Sequence, residues 1–284
     1  MTGCKTSQRG FSKTAAAVVL SVATLGVVLV FFARPLRQFI RESLMQRVTS
    51  AHYEILCPPG AMTPEAMRQF AVVREPLFTT LDKKLDDAGS NAEIQVIFYP
   101  DSSPPVATAS TPQPYTVTGS TIRTGMNGLI PRLDSAADAE ALLHTAWGNP
   151  GNPRIGKWAA VWLVGEWHGE ELGMAAAAVE QRLGHQKVSA LLAPSPNEIS
   201  SSEDRTLLGA AWLSEIAELD GPAEVRKLYS AKTPALDVAE VTKTLSSTAL
   251  ELDRQWQMWM YAYLAGMPAE TQSMPKTMQM PGVR

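Results

Sequence analysis

The longest apolar run in the chain lies close to its N-terminus. Residues 14–33, TAAAVVLSVATLGVVLVFFA, contain no charged side chain, and about twenty apolar residues are what a helix needs to cross a bilayer. Arg34 and Pro35 follow immediately, which is a poor context for signal-peptide cleavage. The pattern predicts an uncleaved transmembrane signal-anchor at residues 14–33, with the lipid bilayer as its partner, preceded by a short cytoplasmic tail at residues 1–13.

Basic residues flank this run on both sides, so the charge bias that orients a membrane span is nearly balanced. After the run, apolar residues recur at helical spacing from Arg34 to Val48, among several arginines. This spacing predicts an amphipathic juxtamembrane helix within residues 34–50. Such a helix either lies along anionic lipid headgroups or serves as a plain stalk.

The next part of the chain combines strand-like runs with one long helical pattern. β-Branched and aromatic residues predict strands at residues 52–57, 93–99 and 115–123, the last with Gly119 as a turn or bulge. Residues 62–88 repeat apolar side chains at helical spacing. The predicted inner face of that helix consists of Met67, Phe70, Val73, Leu77, Leu81 and Leu85. Residues 100–114, rich in Pro, Ser and Thr, predict a loop, and residues 125–128 a turn.

The remaining pattern is helical. A helix at residues 136–147 ends at the Gly/Pro-rich loop 148–153, and a second helix then carries Trp158, Trp162, Glu166 and His168. Residues 173–183 either continue the second helix or begin another, and residues 188–192 form a short apolar segment. Further helices are predicted at residues 204–219, 223–229, 238–244 and 250–265. Residues 51–265 therefore predict an α+β domain, with a small N-terminal β-sheet and one helix followed by a mostly helical half. Residues 266–284, rich in Met, Pro and Gln, predict a disordered tail.

Composition and short motifs argue against several classes of function. The 284-residue chain has a formal net charge of −3, which gives no basic surface for nucleic acid. Its two cysteines, Cys4 and Cys57, lie on opposite sides of the apolar run, so neither an intrachain disulfide nor a zinc finger is predicted. The sequence contains no phosphate-binding glycine loop and no G-x-S-x-G nucleophile motif.

Two short motifs lie on consecutive predicted helices, HTAWG at residues 144–148 and WLVGE at residues 162–166. The arrangement resembles the peptidase MA-like group of gluzincin metallopeptidases, in which one helix carries HExxH and the next carries W-L-x-E-G. In HExxH the two histidines lie one helical turn apart and bind zinc, and the glutamate acts as general base. The resemblance covers residues 52–264 and implies a gluzincin-like scaffold.

The chain departs from the family pattern at most of these positions. His144 fills the first ligand position, but Thr145 occupies the position of the general base and Gly148 that of the second histidine. Glu166 comes one residue late, a rotation of about 100° on a helix, and His168 would point to the opposite side. Because catalytic zinc needs three protein ligands, we predict no catalytic residue, metal or cofactor. His144, Thr145, Gly148 and Glu166 are interpreted as vestigial site positions.

Two functional hypotheses follow from the resemblance. In the family, an edge strand lines the cleft and pairs with peptide, so the first hypothesis is a pseudoenzyme that binds a peptide or protein partner there. The second is a zinc-dependent peptidase or hydrolase with rewired ligands, using His144, Glu166 and a third group. Family domains are usually extracytoplasmic, which implies a single-pass protein of the inner or plasma membrane with its C-terminal domain outside the cytoplasm.

Overall fold

The structure is a computed structural model that describes residues 42–99, 115–125, 135–193, 199, 201–232 and 237–266. Several predicted features lie outside these residues: the cytoplasmic tail, the signal-anchor at 14–33, residues 34–41 of the juxtamembrane helix, the loop 100–114, most of the turn 125–128 and the tail from 267. Within the described ranges, no helix has both the length and the apolar character that a bilayer span requires.

The described chain has the predicted mixture of a small sheet and many helices. Contacts divide it into Met1–Gln46 and Arg47–Arg284, and the second unit contains the fold. Its strands are β1 (Gln46–Thr49, which begins at the boundary), β2 (Tyr53–Cys57), β3 (Ile94–Tyr99), β4 (Tyr115–Thr118), β5 (Thr121–Gly125), β6 (Glu166–Trp167) and β7 (Glu170–Glu171). Its helices are α1 (Pro64–Lys84), α2 (Ser135–Trp147), α3 (Pro153–Val164), α4 (Leu172–Leu183), α5 (Val188–Leu192), α6 (Ser202–Asp220), α7 (Pro222–Ser230), α8 (Val238–Leu245) and α9 (Ala249–Gly266).

Five strands form one sheet in the order β1-β2-β3-β5-β4. Strands β2, β3 and β5 are parallel, and the central strand β3, IQVIFY, is buried at five of its six positions. Strands enclosed on both faces have such continuous apolar sequences. Strand β4 runs antiparallel to β5 through the turn at Gly119, where φ is +57°, so the predicted turn is confirmed. Strands β1 and β4 are the two edges of the sheet.

The predicted juxtamembrane helix is wrong at its C-terminal end, where residues 46–49 form strand β1. Exposure alternates along β1, and Val48 packs against the core, as expected for a period of two residues. The Arg47 side chain lies 2.9 Å from the Glu54 carboxylate on β2. The charge of Arg47, which the spacing predicted to lie on the juxtamembrane helix, thus pairs across neighbouring strands.

Helix α1 is confirmed, and its predicted inner face is wrong only at Val73. Thr63 caps its N-terminus by accepting a hydrogen bond from the amide of Ala66. The predicted Met67, Leu81 and Leu85 are buried and the predicted Phe70 and Leu77 pack against the core. Val73 is 75% exposed, and Ala71 and Phe78 are buried instead. The inner face also includes Arg74, whose guanidinium pairs with the fully buried Asp138 carboxylate of α2. An unpaired buried carboxylate is very costly, so this ion pair fixes the rotation of the helix.

Helices α2 and α3 form a hairpin that joins the sheet to the helical half. The short loop between them ends at Asn152, whose side chain accepts a hydrogen bond from the amide of Arg154 and caps α3. Helix α3 packs along α6, where Gly209 lies directly under the Trp158 ring. Helix α9 closes the helical half through the Trp256 indole, which donates to the Gln186 carbonyl at 3.0 Å.

Candidate functional site

His144 lies in the last turn of α2 and is partly buried against the β4–β5 turn. Its Nδ1 atom lies 3.3 Å from the Gly119 carbonyl oxygen, and a carbonyl can only accept. Burial lowers the pKa of His144, and the hydrogen bond to Gly119 acts in the opposite direction. A neutral ring that donates from Nδ1 presents Nε2 as an acceptor. His144 therefore joins the end of α2 to the turn between β4 and β5.

The other two positions of the HExxH frame are unsuited to zinc chemistry. Thr145 is exposed and its hydroxyl donates to the Ala141 carbonyl of its own helix at 3.0 Å. Gly148 lies outside α2 and has a φ of +85°, a conformation that side-chain-bearing residues rarely adopt. Its carbonyl accepts a hydrogen bond from the Tyr229 hydroxyl at 2.9 Å. Position 148 is thus not one helical turn beyond His144.

The prediction that Glu166 and His168 lie on a helix is wrong. Helix α3 ends at Val164 because Gly165 has a φ of +79° and caps it with a hydrogen bond to the Val161 carbonyl. Glu166 instead begins a two-stranded hairpin in which it pairs with Glu171. His168 and Gly169 form its turn with φ values of +54° and +86°, as in a type I′ turn. The rotation of about 100° inferred for Glu166 therefore does not apply.

A lysine that the sequence did not single out occupies the space beside Gly165. The Lys84 ammonium donates to the carbonyls of Leu163 at 2.9 Å and Val164 at 3.1 Å. Partial burial lowers the pKa of Lys84, and the nearby Glu166 charge raises it. A Cβ atom at position 165 would lie only 2.8 Å from Lys84 Nζ. In the family pattern, position 165 bears the metal-binding glutamate. Here the Lys84 ammonium occupies the space that such a side chain would need.

Aromatic rings form the wall beside His144. Trp147 stacks on Trp162 with ring centres 6.0 Å apart and meets Tyr229 edge-on at 5.5 Å. Burial raises the pKa of the Tyr229 hydroxyl, and the Glu140 charge raises it further. The sequence did not indicate Tyr229, because its partner Gly148 in the loop between α2 and α3 is 81 residues away.

Glu140 lies one helical turn before His144 on the same face of α2. Burial raises the pKa of its carboxyl group, and the Lys157 charge lowers it. The sequence contained a signal for the pairing of Glu140 with His144, because a glutamate four residues before a histidine lies on the same helix face. The face thus combines a perturbed carboxyl group, a neutral imidazole and an aromatic wall.

Strand β4 borders this face and is an edge strand of the five-stranded sheet in the described ranges. Its neighbour in the sheet is β5, and Tyr115 pairs with Thr124 at one end and Thr118 with Thr121 at the other. Helix α2 packs against β4. Strand β4 therefore lies next to the helix that carries His144.

The donor set does not fit a catalytic zinc ion. Across the described ranges, no group of three or more His, Cys, Asp and Glu side chains is placed to hold a metal. Glu166 lies on the hairpin near Lys84, and the Nδ1 atom of His144 is engaged by a carbonyl. Comparisons with protein-family models, with curated proteins and with solved structures match nothing to this chain.

Proposed function

We propose that this chain is a membrane-anchored, non-catalytic domain on a gluzincin-like scaffold that binds an extended peptide segment of a partner protein. The observation that carries the proposal is the position of β4, an edge strand beside the helix that bears His144. Edge strands offer unpaired backbone groups to an added strand, and neighbouring side chains then supply specificity.

The chemistry beside β4 suits binding better than hydrolysis. Hydrolysis of a peptide by zinc needs an activated water next to a general base, and Thr145 has no basic group. The wall of Trp147 and Trp162, with Glu140 and His144 on the same side of α2, offers apolar contact with a few polar groups. Ligand sites have this composition.

A peptide-selection experiment tests the binding proposal. Heptapeptides displayed on phage are selected against the full-length chain, and amide hydrogen exchange is measured with the enriched peptide. We expect protection of the amides of β4, Tyr115–Thr118, and loss of binding when the peptide backbone is N-methylated, because methylation removes the donors of an added strand. The opposite edge β1, Gln46–Thr49, is the internal control. Protection at β1 or elsewhere, or no selected peptide, would refute the proposal.

A metal measurement distinguishes this proposal from the hydrolase hypothesis. The purified full-length chain, dialysed against zinc and then buffer, should retain far less than one zinc per chain, and His144→Ala should leave that value unchanged. The physical reason is that His144 lacks two further ligands. Near-stoichiometric zinc that disappears in His144→Ala would instead support the rewired site with His144 and Glu166.

A further inference from the structure

The solvent-facing side of α1 is uncharged over its middle turns. Val72 is 63% exposed and Val73 75%, and Pro76, Thr79 and Thr80 are exposed as well. These five residues lie within about 120° of the helix circumference. The two threonine hydroxyls donate to carbonyls of their own helix at 3.0 and 2.8 Å, so they do not need water. A continuous exposed surface with so little polarity is typical of an interface.

Helix formation does not explain this composition. Packing does not select the residues of an exposed helix surface, so good helix formers are favoured there. Valine and threonine are weak helix formers, and Pro76 lies inside the helix, where proline removes a backbone hydrogen bond. The exposed middle of α1 therefore departs from the local rule, and such departures are expected at functional surfaces.

Charges of opposite sign lie at the two ends of this uncharged stretch. Glu65 is in the first turn of α1 and Lys83 in the last turn, and both are exposed. Six exposed residues connect the two ends at alternating spacings of four and three, the spacing of a seam between paired helices. We call these residues the α1 seam: Glu65, Gln69, Val72, Pro76, Thr79 and Lys83.

The α1 seam is complementary to its own reverse. Two copies of α1 packed antiparallel, with a two-fold axis midway between Val72 and Pro76, place Val72 of each copy opposite Pro76 of the other. Glu65 lies seven residues before Val72, and Lys83 lies seven residues after Pro76. Glu65 of each copy therefore faces Lys83 of the other, as a self-complementary two-fold contact requires. A parallel pair would instead place like charges opposite each other at both ends.

We propose that this protein self-associates through the α1 seam as an antiparallel dimer with two-fold symmetry. The apolar middle supplies buried surface, and the charged ends set the orientation. A lipid surface is a poorer occupant, because anionic headgroups attract basic helix faces and Glu65 is acidic. The dimer contact lies on α1 and is independent of the peptide site at β4.

Charge reversal tests the orientation of the pair. Self-association of the full-length chain in dodecylmaltoside micelles at low salt is measured by energy transfer between two fluorescently labelled preparations. We expect Glu65→Lys and Lys83→Glu each to weaken self-association about tenfold, because each places like charges opposite each other twice. A mixture of these two variants should associate within about threefold of the unmodified chain, since both pairs are again opposite in sign. This rescue excludes misfolding as the cause of the weakening.

An apolar position with a matched control tests the middle of the seam. Val72→Asp should weaken self-association at least tenfold, because it places a charge at the centre of the contact. Leu250→Asp is the control, since Leu250 of α9 is 80% exposed, and it should change self-association less than twofold. A monomeric unmodified chain, equal effects of Val72→Asp and Leu250→Asp, or a mixture that is not rescued would overturn the proposal. Charge reversals without effect would also overturn it, and would indicate association elsewhere, such as through residues 14–33.

Discussion

Replacing Glu215 by glutamine should stabilise the protein in alkaline solution and have almost no effect in acid. Burial in α6 raises the pKa of this carboxyl to about 8 in the folded protein, against an ordinary value of 4.5. Between these pH values the folded chain holds a proton that the unfolded chain has lost. Folded-state stability therefore falls as the pH rises through this interval. Glutamine resembles the protonated acid in shape and carries no charge, so it removes this dependence.

The size of this stabilisation follows from the raised pKa of Glu215. A difference of about 3.5 pKa units corresponds to at most about 5 kcal/mol, reached above pH 8. Water penetration and relaxation reduce such values, so we expect Glu215→Gln to be roughly 2 to 4 kcal/mol more stable than the natural chain at pH 9. At pH 5 both side chains are mostly neutral in the folded state, and the two proteins should unfold at similar denaturant concentrations.

Urea unfolding of the full-length chain at pH 5, 7 and 9 measures this difference, and Glu170→Gln serves as the control. Glu170 is exposed, so its replacement should change stability by less than about 0.5 kcal/mol at every pH. A Glu215→Gln effect that does not grow with pH, or that is destabilising at pH 9, would refute the reasoning. The second result would mean that the ionised carboxylate has a stabilising partner.

Three further predictions concern the packing and the N-terminal segment. Gly209→Ala should destabilise the protein by about 2 kcal/mol or more in urea unfolding, because the new Cβ would lie 2.2 Å from the Trp158 ring, although alanine favours helices. Lys84→Met should cost about 1 kcal/mol in the same assay, since two carbonyls of α3 lose their donor, whereas Lys83→Met should be nearly neutral. Deletion of residues 1–33 should convert a protein that pellets with membranes into a soluble one, and a continued need for detergent would contradict the predicted anchor.

Hydrophobic periodicity located most elements because their buried faces repeat at the period of a helix or a strand. Strand β3 and helices α2, α6 and α9 fall within a few residues of their predicted bounds. Arg74 was missed on the inner face of α1 because it looks like a surface residue locally, and its partner Asp138 is 64 residues away. Pairing over such a distance leaves no trace in the periodicity of either segment.

The candidate site was predictable at His144 and not at Glu166. His144 lies in a helix that the apolar pattern specifies well, so its place near the helix end followed directly. The hairpin at Glu166 has strands of only two residues, too short for an alternating pattern. Its sequence signal was Gly169, because a type I′ turn needs positive φ at both central residues and glycine adopts positive φ readily. Lys84 and Glu215 were missed because their roles depend on helices that meet only in the folded chain.

The conformation of Gly148 and Gly165 sets the conditions for engineering a zinc enzyme from this scaffold. Both residues have φ values near +80° and lie immediately after the ends of α2 and α3, so side chains introduced there would not project as they do from a helix. Thr145→Glu combined with Gly148→His would restore the residues of HExxH. The backbone at position 148 is not helical, however, so the new histidine would not lie on the same helix face as His144. A design would first have to lengthen both helices by a turn and relocate Lys84. Substituting the ligand residues would therefore not be enough to create activity. The loops after α2 and α3 would also have to be remodelled.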